Sequence, residues 1–177
     1  MKTLKEIYNQ TATEHAGLGD KGTLHSYIDG YYESAFGPFR DSATRVLEVG
    51  INRGHSLVVW KEFFPNAEII GVDIADYGIR DANFTLIYGD ATKEETFNGI
   101  DNIDIAIDDG SHMLEHQLRT FMILFPKLKK GGLYVIEDIQ DIDATITFFK
   151  NLDPSFDLYD LRTVKGRYDD VIIQFTK

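Results

Sequence analysis

A chain of 177 residues, 43% hydrophobic and 27% charged, can bury a full apolar core and is expected to form one domain over 1–177. Its formal net charge of −11 disfavours binding to nucleic-acid phosphates or to anionic membranes. With no cysteine there are no disulfides, thiolate metal sites or cysteine nucleophile. No signal core or membrane-length apolar run occurs, so a soluble cytoplasmic protein is expected.

Residues 1–44 read as an N-terminal cap of helix and loop. Leu4, Ile7 and Tyr8 lie at helical spacing. Gly17 to Thr23 is a loop with three glycines. Tyr27 to Phe36 is aromatic-rich, with Tyr31, Tyr32, Phe36 and Phe39 expected in the core rather than over a pocket.

Residues 45–177 alternate between strand and helix patterns. Val46 to Gly50 predicts a strand, and His55 to Phe64 a helix closed by Pro65. Strands follow over Glu68 to Asp73, Phe84 to Tyr88 and Ile103 to Ile107. Met113 to Phe125 predicts a helix with Leu114, Leu118, Phe121 and Phe125 on one face. Lys127, Lys129 and Lys130 read as its solvated end. Leu133 to Ile136 predicts a strand, Asp143 to Asn151 a helix, and Phe156 to Leu161 and Val171 to Phe175 two last strands. Lys165-Gly166-Arg167 between them reads as a hairpin turn.

The pattern implies an α/β, Rossmann-like sandwich. Its seven-stranded mixed sheet has an antiparallel C-terminal strand, with helices on both faces. Ligands of such sheets bind at the carboxyl ends of the strands. The polar clusters that stand out as candidate ligand groups all fall there: Glu48 and Gly50, Asp73, Asp90, Asp108 and Asp109, Glu137 and Asp138.

Two of these ends, Asp108-Asp109-Gly110-Ser111-His112 and Glu137-Asp138, would sit about 5 Å apart on neighbouring strands. Crowded carboxylates repel, and a hard cation such as Mg2+ would turn that cost into a ligand set. The bland alternative is capping, with Ser111, Asp109 or His112 at the start of one helix and Glu137 or Asp138 at the next turn. His116, four residues after His112, is expected to pack or to support rather than to bind metal. A third end, Glu48-Val49-Gly50-Ile51-Asn52-Arg53-Gly54-His55-Ser56, is a glycine loop that lets a ligand approach the backbone. Asp73, about 20 residues on, is placed to bind ribose hydroxyls. The loop is neither a dinucleotide fingerprint nor a P-loop.

On these residues the chain resembles class I S-adenosylmethionine-dependent methyltransferases. The resemblance implies that Glu48, Gly50, Asn52, Gly54 and Ser56 surround the methionine part of the cofactor, that Asp73 binds the ribose, and that Asp90 lies near the adenine. Asp108 is expected to border the cofactor. A narrower resemblance rests on Asp20-Lys21-Gly22-Thr23-Leu24-His25-Ser26-Tyr27, on Asp108 to His112, and on Gly131-Gly132-Leu133-Tyr134-Val135-Ile136-Glu137-Asp138. These motifs are similar to those of the macrocin and mycinamicin type of sugar O-methyltransferase and of the related cephalosporin hydroxylase group. That family implies Mg2+ on Asp109, Glu137 and Asp138, and His112 as general base. It also suggests that Lys21 and Thr23 reach the cofactor carboxylate. The chain is expected to lack the N-terminal domain of the longer macrolide enzymes and to have no room for a long lid after Asp138. That departure bears on the acceptor, not on the cofactor.

The expected activity is an S-adenosylmethionine- and Mg2+-dependent O-methyltransferase acting on a sugar or other small diol, with Asp109 and His112 catalytic. Alternatives are a metal-independent methyltransferase and a non-catalytic cofactor-binding module. Homo-oligomer formation stays open.

Overall fold

Alternating apolar runs and amphipathic stretches fold into one sheet with a helical layer on each face. The computed structural model describes residues 1–14, 19–152 and 155–177, so Gly17 and Leu18 of the expected glycine loop lie outside the described residues. The strands are β1 (Arg45–Val49), β2 (Glu68–Asp73), β3 (Phe84–Tyr88), β4 (Ile103–Asp108), β5 (Leu128–Ile136), β6 (Phe156–Asp160) and β7 (Val171–Thr176). Their order is β3-β2-β1-β4-β5-β7-β6. β1 to β5 pair in parallel, and β7 runs antiparallel between β5 and β6. The helices are α1 (Leu4–Glu14), α2 (Glu33–Phe36), α3 (His55–Phe63), α4 (Leu114–Leu124), α5 (Ile142–Asn151) and α6 (Arg162–Lys165). Among the described residues no helix is long and apolar enough to cross a membrane.

Successive strand residues point to opposite faces, which divides the core in two. One layer packs α1, the segment 27–36 and α3 against Val46, Ile105, Ile107 and Val135. The other packs Phe121 and Leu124 of α4 and Phe149 of α5 against Leu47, Ala106, Tyr134 and Ile136. The aromatic run is core, as its pattern predicts. A π-helical turn over Ile28–Tyr32 leads into α2. Trp60 then meets Tyr32 and Phe36 at ring separations of 5.1 and 5.5 Å. Such contacts add about 0.5–1.5 kcal/mol each beyond burial, enough to fix this segment on the sheet.

Two expectations need correction. β5 begins at Leu128 rather than Leu133, so Lys129 belongs to a strand. It pairs with Asp104 at 2.8 Å, which draws it in from the solvated helix end expected of it. Residues 165–167 do not form a tight hairpin turn. Lys165 ends α6, and Gly166, at φ 77°, stops it in the left-handed conformation. The cause is a long-range contact: Lys165 Nζ donates to the carbonyls of Gly22, Thr23 and His25 at 2.8, 3.1 and 2.5 Å. This clamp ties the N-terminal segment to the β6–β7 connection.

Candidate active site

The strands' carboxyl ends open into a cavity of about 1000 Å3, walled by the loop after β1, the end of β2 and the turn after β4. On one side the wall is mostly backbone. Gly50 has φ 82°, and a Cβ there would lie 1.9 Å from the Asp109 carbonyl oxygen. Only glycine permits this approach of β1 to β4. Gly54, also left-handed, starts α3, and Asn52 holds the loop's tip at φ 46°. Asp73 pins the loop from the next strand: its Oδ2 accepts from the amides of Ile51 and Asn52 at 3.0 and 3.1 Å. Its Oδ1 accepts from Ala75 N at 2.9 Å. Asp90 accepts from the Thr92 hydroxyl and amide at 2.7 and 2.9 Å, and these bonds hold its carboxyl below the usual carboxylate range.

On the other side the wall is side chain. Asp108 pairs with Ile136 in the parallel ladder, which makes Asp109 and Glu137 the next neighbours. The ladder continues past both strand ends through Asp109 N to Val49 O and Glu137 N to Asp108 O, at 2.9 and 3.0 Å. Strand alternation then separates Asp108 from Asp109. Asp108 turns to the α4–α5 layer, where Tyr134 donates to it at 3.1 Å and burial pushes its carboxyl up to about 7. Asp109 turns to the N-terminal segment. There Lys21 Nζ donates to Asp109 Oδ2 and Glu137 Oε1, both at 2.6 Å, and lies 3.2 Å from Glu48 Oε1. Glu48 Oε2 accepts from Ser56 Oγ at 2.5 Å and Trp60 Nε1 at 3.1 Å, and Tyr32 donates to Glu137. Burial alone would lower the Lys21 ammonium, but Asp109, Glu137 and Glu48 outweigh it and hold Lys21 well above its usual value. Burial pushes Glu137 up to about 8 despite that cation, and raises Asp109 as well.

Asp138 points elsewhere because β5 has ended. Its backbone is left-handed at φ 55°, as is that of His112 at 57°. For residues other than glycine this conformation costs about 1 kcal/mol or more and concentrates at functional positions. Tyr27 donates to Asp138 Oδ1 at 2.5 Å, while His112 Nδ1 lies 3.6 Å from Oδ2. The carboxylates expected to share one metal, Asp109, Glu137 and Asp138, are therefore divided between two groups. Asp109 belongs to both: with Glu48 and Glu137 around Lys21, and with His112 and Asp138, ligand atoms within 4.8 Å of one another in each. The second group fits a divalent cation. Its two carboxylates, Asp109 and Asp138, are the ligands that suit such an ion, and His112 stands beside them with its Nδ1 3.6 Å from Asp138 Oδ2.

The capping alternative does not describe these residues. α4 starts after Met113 without a side-chain cap, and Ser111 is engaged with His116 Nδ1 at 2.7 Å. α5 is capped by Asp141, which accepts from Ala144 N at 3.0 Å. Of the predicted cofactor set, Lys21, Gly50, Asn52, Gly54, Ser56, Asp73, Asp90 and Asp108 line the cavity. Glu48 lies buried under its floor. Thr23 is exposed, its hydroxyl donating to Gly19 O at 2.8 Å. Sequence reasoning missed Tyr27, Tyr32 and His25 as supports of the acids. The signal was present in the phenols of the aromatic run, since a fully buried tyrosine needs a partner for its hydroxyl.

A sheet of this order with one reversed strand, a glycine loop after β1 and an acid after β2, is the class I methyltransferase fold. By sequence the chain is related to sugar O-methyltransferases. No family model matches it. It is 41% identical over 133 residues to 8-demethyl-8-alpha-L-rhamnosyl tetracenomycin-C 2'-O-methyltransferase of Streptomyces olivaceus, a match covering 68% of this chain and 35% of that protein. It is 38% identical to mycinamicin VI 2''-O-methyltransferase of Micromonospora griseorubida, over 67% of this chain and 32% of that one. The match thus spans well under two thirds of either relative. Among solved structures it is similar to the MycE methyltransferase of the mycinamycin biosynthetic pathway, in complex with Mg and SAH. The TM-score is 0.76 and the identity 28%, covering 99% of this chain and 55% of that one. A putative caffeoyl-CoA O-methyltransferase from Staphylococcus aureus, at 15% identity and TM-score 0.64, shares the fold.

Proposed function

We propose that this chain is the catalytic unit of an S-adenosylmethionine- and Mg2+-dependent O-methyltransferase acting on a hydroxyl of a sugar or other small diol. One observation carries the reading: a single cavity joins a glycine-lined loop to His112, a buried imidazole nitrogen set against Asp138. The sequence relationship to sugar O-methyltransferases, and MycE's complex with Mg and SAH, support the cofactor and the metal.

S-Adenosylmethionine, when bound, supplies an electrophilic methyl group, and Mg2+ supplies positive charge beside the acceptor oxygen. Gly50 and Gly54 leave room for the methionine part, and Asp73 and Asp90 present acceptors to the ribose and the base. His112 takes the hydroxyl proton as the oxygen attacks. A positioned imidazole contributes about 10²–10⁴-fold to such a transfer. Asp138, 3.6 Å from Nδ1, steadies the imidazolium that forms and leaves the second ring nitrogen for the proton. Asp109 turns one oxygen to Lys21, which leaves the other for the cation. Holding donor and acceptor in line supplies much of the remaining acceleration.

Calorimetry with S-adenosylmethionine and with NAD, followed by labelled-methyl transfer to glycosides and catechols, tests the reading. The expected result is binding of the methyl donor alone, with turnover lost in chelator and restored by Mg2+. Binding of NAD without the methyl donor sinks the proposal, and full turnover in chelator removes the metal from it.

A further inference from the structure

The buried phenols near the acids come from a rare kind of turn. Residues Ile28–Tyr32 form a π-helical turn, with Tyr27 just before it and Tyr32 at its end. In an α-helix, side chains five residues apart point about 140° away from each other. A π-turn closes its hydrogen bonds over five residues, so such a pair shares a face, and such turns gather at functional positions. Tyr27 and Tyr32 are fully buried, and their rings meet edge to face at 6.4 Å. Their hydroxyls reach two adjacent acids past the end of β5. Tyr32 donates to Glu137 Oε1, which also accepts from Lys21. Tyr27 grips Asp138 twice, donating to Oδ1 at 2.5 Å and accepting from its backbone amide at 3.2 Å. The Asp169 carbonyl, 3.1 Å away, is the more distant acceptor for the same proton. Among the described residues, the hydrogen bonds to these two carboxylates therefore fall on one oxygen of each. Asp138 Oδ2 is left 3.6 Å from His112 Nδ1. Tyr31, inside the same turn, points elsewhere and donates to Gln174 at 2.8 Å.

We propose that the π-turn is a positioning device, with Tyr27 and Tyr32 as positioning residues for the acids of β5. A donor on one oxygen fixes the rotation of a carboxylate. The two hydroxyls thus reserve the other oxygen of each acid, of Asp138 for His112 and of both for a divalent ion. Tyr27 thereby sets the orientation of His112 through Asp138, although neither phenol touches the reacting atoms. The inference deepens the proposed function and rests on it for the ion, whereas the link from Tyr27 to His112 stands on the geometry alone.

The test uses the full chain and three variants, Tyr27→Phe, Tyr32→Phe and Tyr31→Phe, each of which keeps the ring and loses the hydroxyl. Affinity for Mn2+ alone is read by electron paramagnetic resonance, and stability by thermal melting. The tautomer of His112 is read by nitrogen nuclear magnetic resonance, in chelator and at a pH where imidazole is neutral. All three variants should melt earlier than the wild type. Only Tyr27→Phe and Tyr32→Phe should bind Mn2+ more weakly, by about ten- to hundredfold. His112 should carry its proton on Nδ1 in the wild type and in Tyr31→Phe, and divide it between both ring nitrogens in Tyr27→Phe. Unchanged Mn2+ affinity in Tyr27→Phe and Tyr32→Phe, or an equal loss in Tyr31→Phe, overturns the proposal. So does a His112 of the same form in Tyr27→Phe and the wild type. If the wild type binds no Mn2+, the metal part of the proposed function falls, and the His112 comparison alone decides the role of the turn. If Tyr27→Phe does not fold, the wild type is examined with labelled tyrosine. Its Tyr27 hydroxyl proton, bonded to a buried carboxylate, should resonate far downfield and exchange slowly, and the absence of that signal overturns the proposal.

Discussion

The two walls of the cavity are built in opposite ways. The loop side, after β1 and β2, is backbone shaped by glycines and pinned by Asp73, whose partners Ile51 and Asn52 lie 22 and 21 residues away. The acid side, after β4 and β5, is a packed set of charged and phenolic side chains. Lys21 reaches Asp109 across 88 residues and Glu137 across 116. A backbone wall can hold a ligand at little electrostatic cost, because amides and turn carboxylates stay solvated or satisfied. A buried carboxylate wall must be neutralised to exist at all. On the proposed reading, holding a cofactor and moving a proton fall to different halves, and each half can be perturbed separately.

The largest effect is expected from His112→Ala. Turnover should fall by about 10²–10⁴-fold while affinity for S-adenosylmethionine, measured calorimetrically, stays unchanged. A near-normal rate would place the base elsewhere. Gly50→Ala acts where the walls meet, since the new Cβ would strike the Asp109 carbonyl. Because backbone cannot yield as a side chain does, a loss of about 3 kcal/mol or more is expected in urea unfolding. A loss under about 1 kcal/mol would mean that the two strand ends are not so closely joined. Asp73→Ala removes charged acceptors from the loop side alone. Cofactor affinity should drop about ten- to hundredfold, with turnover at saturating cofactor nearly intact. Equal losses in both would show that the halves are coupled.

The smallest effect belongs to Asp104, at the opposite end of β4. Burial would raise its carboxyl, but bonds from Lys129, Thr44 and Arg45 outweigh burial and hold it below the usual value. A depressed carboxylate stabilises the fold above its ordinary pKa, and that contribution disappears as pH falls through the folded value. Asp104→Asn should therefore cost about 1 kcal/mol near neutral pH, less in acid, and leave cofactor binding unaltered. Calorimetric unfolding across the acid range checks both points.

Legibility from sequence follows the same division. Strand ends, the glycine loop and Asp73 could be read because their patterns are local. The fold class was readable too, since apolar alternation marks each strand. Lys21 was expected at the cofactor carboxylate, and nothing within a window of neighbours indicates three acids from β1, β4 and β5 around it. The separation of Asp108 from Asp109 was half visible in the alternation of strand residues. The direction of Asp138 was not, because it depends on where β5 ends and on a left-handed backbone that aspartate tolerates but does not announce. The hairpin turn expected at 165–167 was missed for a similar reason, its lysine answering to carbonyls about 140 residues earlier in the chain.

The Lys165 clamp has a consequence for the order in which the molecule can be completed on the ribosome. β1 to β4 can pair as they emerge, but the segment bearing Lys21 has no cage until β5 is made and no clamp until α6 is made. β5 itself keeps an open edge until β7 arrives. The segment bearing Lys21, made before β1, thus settles only after α6, and a ribosome-stalled chain ending before residue 165 should leave it open to protease. Acquisition of the charged half of the cavity would then wait on the last strands of the sheet.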